Sequence, residues 1–249
     1  MFDAATVLAI LATFLLAGTV KGVIGLGLPT VSLALLTVAI DLPSAMALLL
    51  VPSFLTNLWQ ALVGGHLTAV VRRTWPFLAV ATATIWLGAL ALTRVDLWAL
   101  SALLGVLLTV YAGLSLAGLR VAVPARHEAW LGPLVGAVNG VLTGMTGSFV
   151  VPGVLYLQAL GLSRDLLIQA MGLLFALSTA ALALALGTNG LLSPELGLWS
   201  GAAVAPALVG MTLGRRIRQA LPEVLFRRVF FVALLLLGAY IVAGALAQA

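Results

Sequence analysis

In this chain of 249 residues, 63% of the side chains are hydrophobic, only 8% are charged, and the mean hydropathy is +1.24. Soluble domains carry about a quarter charged residues, so the composition excludes a water-soluble fold, and length converts into membrane crossings of about 20 apolar residues each. The net charge of +5 does not imply nucleic acid, because the arginines stand at the ends of apolar runs, and the lack of cysteine rules out disulfides, thiolate metal sites and cysteine nucleophiles.

Eight apolar stretches follow one another, roughly 4–40, 43–62, 73–93, 97–118, 130–160, 163–187, 195–213 and 225–247. The first has Asp3 but no basic run ahead of it and is expected to be retained rather than cleaved. It is too long for a simple span, and it is interrupted by Gly18-Thr19-Val20-Lys21-Gly22-Val23-Ile24-Gly25-Leu26-Gly27-Leu28-Pro29. In the second, Ser53, Asn57 and Gln60 share one helical face while Trp59 points elsewhere. The fourth carries Gly105, Ala112 and Gly113, small residues that suit either a homodimer or packing within one chain. The segment 119–129, with Arg120, Pro124, Arg126, His127 and Glu128, is the most polar of the chain. It divides the chain into a first repeat, 1–118, and a second, 130–249, with Lys21 opposite Asn139.

The fifth stretch is again overlong and is interrupted by Gly136-Ala137-Val138-Asn139-Gly140-Val141-Leu142-Thr143-Gly144-Met145-Thr146-Gly147-Ser148. Broken helices at matching places in two halves point to a transporter's binding site. In the sixth stretch Gln169, Gly172, Ala176 and Thr179 form a small-and-polar face, read as helix packing at Thr179 and as pocket lining at Gln169. Trp75, Trp98, Trp130 and Trp199 near span ends fit an interfacial belt.

The arginines set the predicted topology. Arg72-Arg73, the Arg120 and Arg126 linker, and the group Arg215, Arg216, Arg218, Arg227 and Arg228 all belong on the cytoplasmic face. Stretch 130–160 then starts and finishes on one side. Its two arms of about 13 residues rise about 20 Å each, short of the hydrocarbon thickness of about 30 Å. The same logic gives 4–40 a break at Lys21–Gly27 and a return near Asp41. The expected fold is therefore all-α and polytopic: two inverted repeats, each a re-entrant broken-helix hairpin plus three transmembrane helices, with both termini outside. Parallel repeats are the alternative, and they would put the five C-terminal arginines outside.

Backbone that leaves a helix at membrane depth needs protein or a wet cavity around it. Gly25 and Gly27 supply the break, Pro29 suits the first turn of a new helix, and Thr146 and Ser148 are expected to cap the returning arm of the second hairpin. Two helix N-termini, which favour anions, would then face the centre. Lys21 is the chain's single lysine and lies in the first break. An ionisable residue at membrane depth reads as functional, here as the partner of an anionic substrate, against a snorkelling role.

Other chemistries find little support. The carboxylates all lie at segment ends, which leaves no obvious proton relay except Asp41 or Asp165 near the hairpin bases. Neither His66 nor His127 has a metal-ligand partner at a useful spacing, and no strand precedes Gly25-Leu26-Gly27 as a dinucleotide loop requires. Neither metal nor cofactor is expected, and an intramembrane enzyme lacks a nucleophile–base set.

At these residues the chain resembles the sulfite exporter TauE/SafE family. The resemblance rests on Gly18–Pro29 followed by Asp41-Leu42-Pro43-Ser44-Ala45 and by Pro52 through Asn57-Leu58-Trp59-Gln60, with Asn139-Gly140 through Gly147 and Leu160-Gly161-Leu162-Ser163-Arg164 as the second-half counterpart. It implies movement of small anions, often sulfur oxyanions or organosulfonates, across a bacterial inner membrane. Gly144-Met145-Thr146-Gly147 departs from a Gly-x-Gly-Gly pattern of the family, and the hydroxyls of Thr143, Thr146 and Ser148 suit an oxyanion or a different substrate. In this reading Lys21 supplies charge, and backbone N–H groups around Gly25–Pro29 and Gly144–Ser148 cradle the anion. Asn57 and Gln169 orient it, with Gln60 and Asn139 beside them, and alternating access moves one repeat against the other. A non-transporting membrane subunit or a channel-like anion pathway is the alternative.

Overall fold

Side-chain caps start helices where a carboxylate or hydroxyl precedes an apolar run. In the computed structural model, which describes residues 2–119, 121–220 and 223–248, Asp3 accepts the Thr6 N–H at 2.9 Å and opens α1 (Ala4–Ile24). Asp41 accepts the Ser44 N–H at 2.8 Å and opens α3 (Leu42–Leu48), and Ser193 accepts the Leu196 N–H at 3.2 Å and opens α10 (Pro194–Ala202). Glycine in the left-handed region ends α1 at Gly25, α6 (Leu97–Ala117) at Gly118 and α7 (Ala125–Thr146) at Gly147. The other helices are α2 (Leu28–Ala39), α4 (Leu50–Leu62), α5 (Leu67–Ala89, extended by a 3-10 turn over Leu90–Thr93), α8 (Gly153–Ala159), α9 (Arg164–Thr188), α11 (Val204–Ala220) and α12 (Glu223–Leu246). No strand occurs among the described residues. Arg120 of the expected cytoplasmic linker lies outside them.

Among the described residues six helical segments are long and apolar enough to cross a membrane: Ala4–Ile24, Leu67–Thr93, Leu97–Ala117, Arg164–Thr188, Pro194–Ala220 and Val224–Leu246. Taking α3 and α4 as one bent span gives seven. The distribution of polarity is that of a protein solvated by lipid. Leu8, Trp59, Leu87, Leu184, Leu198 and Leu236 are exposed, whereas Ser32, Ser53, Asn57, Asn139, Thr143 and Gln169 are buried. The chain is a polytopic, all-helical integral membrane protein.

Two compact units divide the chain. One comprises Met1–Pro52, Val95–Leu119 and Leu191–Ala249, the other Ser53–Arg94 and Arg120–Gly190, so each takes segments from both sides of the linker. Within the first unit α1 packs along α11 and α6 along α12. A Cβ at Gly18 would collide with the Ala207 carbonyl and one at Gly22 with the Met211 carbonyl. Gly210 and Gly214 of α11 meet the carbonyls of Leu15 and Thr19 just as closely. Gly105 is taken up inside the chain, where a Cβ would stand 2.7 Å from the Gly238 carbonyl of α12. Within the second unit α5 packs on α7 and α9. Gly136, Gly140 and Gly144 of α7 lie on the carbonyls of Phe77, Ala81 and Ile85, and Gly88 of α5 lies on that of Val141. Such seams replace the hydrophobic effect, which gives no drive between helices in lipid, by close van der Waals contact.

Overpacking a tight seam costs about 1–3 kcal/mol or more, and at Gly140 a side chain meets backbone that cannot swing aside. Gly140→Val is expected to lower the unfolding temperature in detergent strongly or to abolish the monodisperse peak on size exclusion. Gly113→Ala, where nothing lies within 4 Å, should leave both unchanged or raise the unfolding temperature slightly. Equal behaviour of the two variants would remove the seam as a stabilising element.

Candidate functional site

The first break lies in the first unit. The helix α1 stops where Gly25 adopts φ 86° and returns its N–H to the Lys21 carbonyl at 2.8 Å. After Leu26, Gly27 at φ 109° turns the chain into α2, with Pro29 in its first turn. Both angles lie in the region that only glycine enters without strain. Lys21 occupies the last turn of α1 and is 4% exposed. No side chain caps α2, so its first-turn N–H groups are left to other acceptors, Pro29 contributing none.

The second break lies in the second unit and is built differently. The helix α7 runs through Thr146 and stops at Gly147 (φ 73°), whose N–H bonds the Thr143 carbonyl at 2.7 Å. Thr146 and Ser148 do not cap the returning helix, as the sequence suggests. Thr146 is the last helical residue, donates its hydroxyl to the Leu142 carbonyl at 2.7 Å and accepts the Ser148 N–H at 3.2 Å, while α8 begins only at Gly153. The N–H groups of 144–148 therefore form no anion cradle: Gly144 to Thr146 belong to the α7 ladder, and those of Gly147 and Ser148 have the partners just named. The reason is that hydroxyls in a last helical turn bond backward to carbonyls one turn earlier as readily as they cap a new helix. Thr143 does the converse, donating to the Ser148 carbonyl at 2.9 Å.

What this break leaves unsatisfied is more informative. The Asn139 Oδ1 accepts the Gly153 N–H at 2.8 Å, but its Nδ2 has no hydrogen-bond partner, and neither does Ser148 Oγ. The two residues are 0% and 3% exposed. On α9, whose Phe175 ring lies 5.7 Å from that of Phe149 beside Ser148, Ser178 Oγ is buried without a partner as well. Ser178 is a residue the sequence pattern does not single out, since one hydroxyl in an apolar helix usually returns to its own backbone.

The arms of the second hairpin are also not the two short ones of about 13 residues expected. The helix α7 has 22 residues and α8 has 7. They rise about 33 Å and about 10 Å respectively, and the irregular residues 147–152 cover the rest of the return. Both ends of the hairpin come together: Val123 N–H bonds the Ala159 carbonyl at 2.8 Å, and Arg73 donates to both Glu128 oxygens, at 2.7 and 3.0 Å, and to the Leu160 carbonyl at 2.8 Å. The Arg73 guanidinium beside it holds the Glu128 carboxyl below its ordinary range.

The remaining expected site residues are engaged in packing. Asn57 Nδ2 donates to Ser53 Oγ at 3.0 Å, and Ser53 in turn meets Thr179 Oγ1 at 3.3 Å. Gln60 donates to the Ile168 carbonyl at 2.8 Å. Gln169 spends both ends of its amide, accepting the His66 N–H at 3.0 Å and donating to the Ala61 carbonyl at 2.7 Å. Counted from the glycine that ends each broken helix, Lys21 shares its place with Thr143 rather than with Asn139: both stand four residues before it.

A polytopic helical protein that keeps broken helices and unmatched donors in its interior has the build of a membrane carrier. The family model described as Sulfite exporter TauE/SafE matches residues 10–241. The chain belongs to this family and is a membrane transporter. No curated protein and no solved structure matches it.

Gln169→Leu strands the His66 N–H and the Ala61 carbonyl, each worth about 1–3 kcal/mol when buried and unmet. The variant is expected to unfold at clearly lower temperature in detergent, and an unchanged transition would show that the amide is not structural.

Proposed function

We propose that this chain is a secondary transporter of small anions, sulfur oxyanions or organosulfonates, which are held at the helix breaks and moved by alternating access. The observation that carries the reading is the pair of buried groups without partners at the Gly147 break, Asn139 Nδ2 and Ser148 Oγ. Each buried donor left unmet costs about 1–3 kcal/mol. A guest bearing several acceptor oxygens removes that cost, whereas a cation does not. At the other break the buried Lys21 supplies positive charge, close in sequence to the start of α2 with its Gly27 and Pro29. A helix N-terminus and a cation favour the same kind of guest. Family membership supports the substrate class. The charge rule supports a bacterial inner-membrane protein with its arginine clusters cytoplasmic and both termini outside.

The two breaks have separable tests in proteoliposomes containing the purified chain, with sulfite, organosulfonates and carboxylates as the panel. Ser148→Ala removes a hydroxyl that no protein group uses, so thermal stability should hold while saturable anion flux falls about tenfold, the loss of one hydrogen bond to a charged guest. Lys21→Ala should abolish flux without loss of membrane insertion. Wild-type flux in both variants would take these residues out of the site, and absence of saturable flux in the unaltered chain for every anion would defeat the transport reading.

A further inference from the structure

One end of the first unit holds a cavity of about 320 Å³ where α2 ends, α6 begins and α12 ends. Its composition is opposite to that of the chain around it. The chain contains 12 lysines and arginines and is strongly basic, yet the thirteen residues lining this cavity include one carboxylate, Asp41, and no basic side chain. Two aromatics, Trp98 and Tyr240, share the wall with Thr37, Ser101 and Gln248. The Thr37 hydroxyl is buried and has no hydrogen-bond partner. Asp41 accepts from the Ser44 N–H and hydroxyl, both at 2.8 Å, one bond to each carboxylate oxygen. A carboxylate has about four acceptor sites, so acceptor capacity remains after the cap is made.

A negative group, aromatic faces and spare oxygen acceptors together select a cation with donors and a small organic body. The aromatic quadrupole attracts ammonium, and the carboxylate and hydroxyl oxygens accept its N–H groups. An anion would meet the Asp41 charge with no basic side chain in the wall to offset it. We infer that this cavity is a binding site for an organic ammonium group, separate from the anion chemistry of the helix breaks. Its place among helix ends, beside a tryptophan and a tyrosine, is what headgroup level in a bilayer calls for. A primary amine can reach it there either as the ethanolamine headgroup of a phospholipid or as a free small amine.

The test separates those two sources. Full-length protein purified in detergent is incubated with equal amounts of phosphatidylethanolamine, its N-acetylated derivative and phosphatidylglycerol, and the retained lipid is read by native mass spectrometry. In a second arm, thermal unfolding is followed with free ethanolamine against the same concentrations of potassium chloride. A lipid source predicts about tenfold preferential retention of phosphatidylethanolamine over both comparators, the size expected for a partly desolvated cation–π and charge contact. A soluble source predicts stabilisation by ethanolamine beyond that of potassium. In either case Asp41→Asn, which keeps a good helix cap, and Trp98→Leu should each remove most of the effect while eluting as folded protein. Equal retention of the charged and N-acetylated lipid together with no ethanolamine effect would overturn the proposal. So would a preference that survives in both variants.

Discussion

A helix can end inside a membrane only where protein or a wet cavity surrounds its end, because lipid offers nothing to the freed N–H and C=O groups. This constraint orders the rest of the molecule. Both internal helix ends are closed first by their own backbone, Gly25 and Gly147 each returning an N–H to a carbonyl four residues earlier. Each broken helix is then pressed along an unbroken one through glycines that allow backbone to touch backbone, α1 on α11 and α7 on α5. The glycines in these runs therefore do two jobs that the sequence alone presents as one. Gly25, Gly27 and Gly147 turn the chain, while Gly18, Gly22, Gly140 and Gly144 let a neighbour approach.

The buried polar residues divide on whether they are matched. Gln60 and Gln169 tie α4 to α9, and Asn57 bonds Ser53 on its own helix, so all three are committed to the fold. Asn139 is half committed, with Oδ1 fixed by Gly153 and Nδ2 idle, and Ser148 Oγ is wholly idle. In a low-dielectric interior an idle donor is costly. Its persistence next to a chain break sets this pair apart from the amides that join helices.

Much of this was legible in the residues. The composition gave a lipid-solvated helical protein, and the glycine runs located both breaks to within a few residues, with Pro29 in the first turn of the helix after the first. Sequence reasoning fell short where competing uses of one side chain differ by little energy. Thr146 suits a cap or a backward bond to Leu142, and only three-dimensional context decides for the latter. Gln169 suits a pocket or a loop tie, and the nearness of the His66 N–H decides for the tie. The uneven arms of the second hairpin were hidden because an apolar run has the same composition whether it is helical or extended. Matching polar letters set Lys21 against Asn139, whereas counting back from the glycine that ends each broken helix sets it beside Thr143.

The bonds among Arg73, Glu128, Leu160, Val123 and Ala159 have a mechanical meaning. They moor the second hairpin at its root, so its descending and returning limbs cannot slide past one another there. Any displacement of the tip must be taken up by the six irregular residues 147–152, since a helix of 22 residues and one of 7 both resist bending. Compliance is thus concentrated in the stretch that holds Ser148, so bonds made to these few residues govern how far the whole lever can swing.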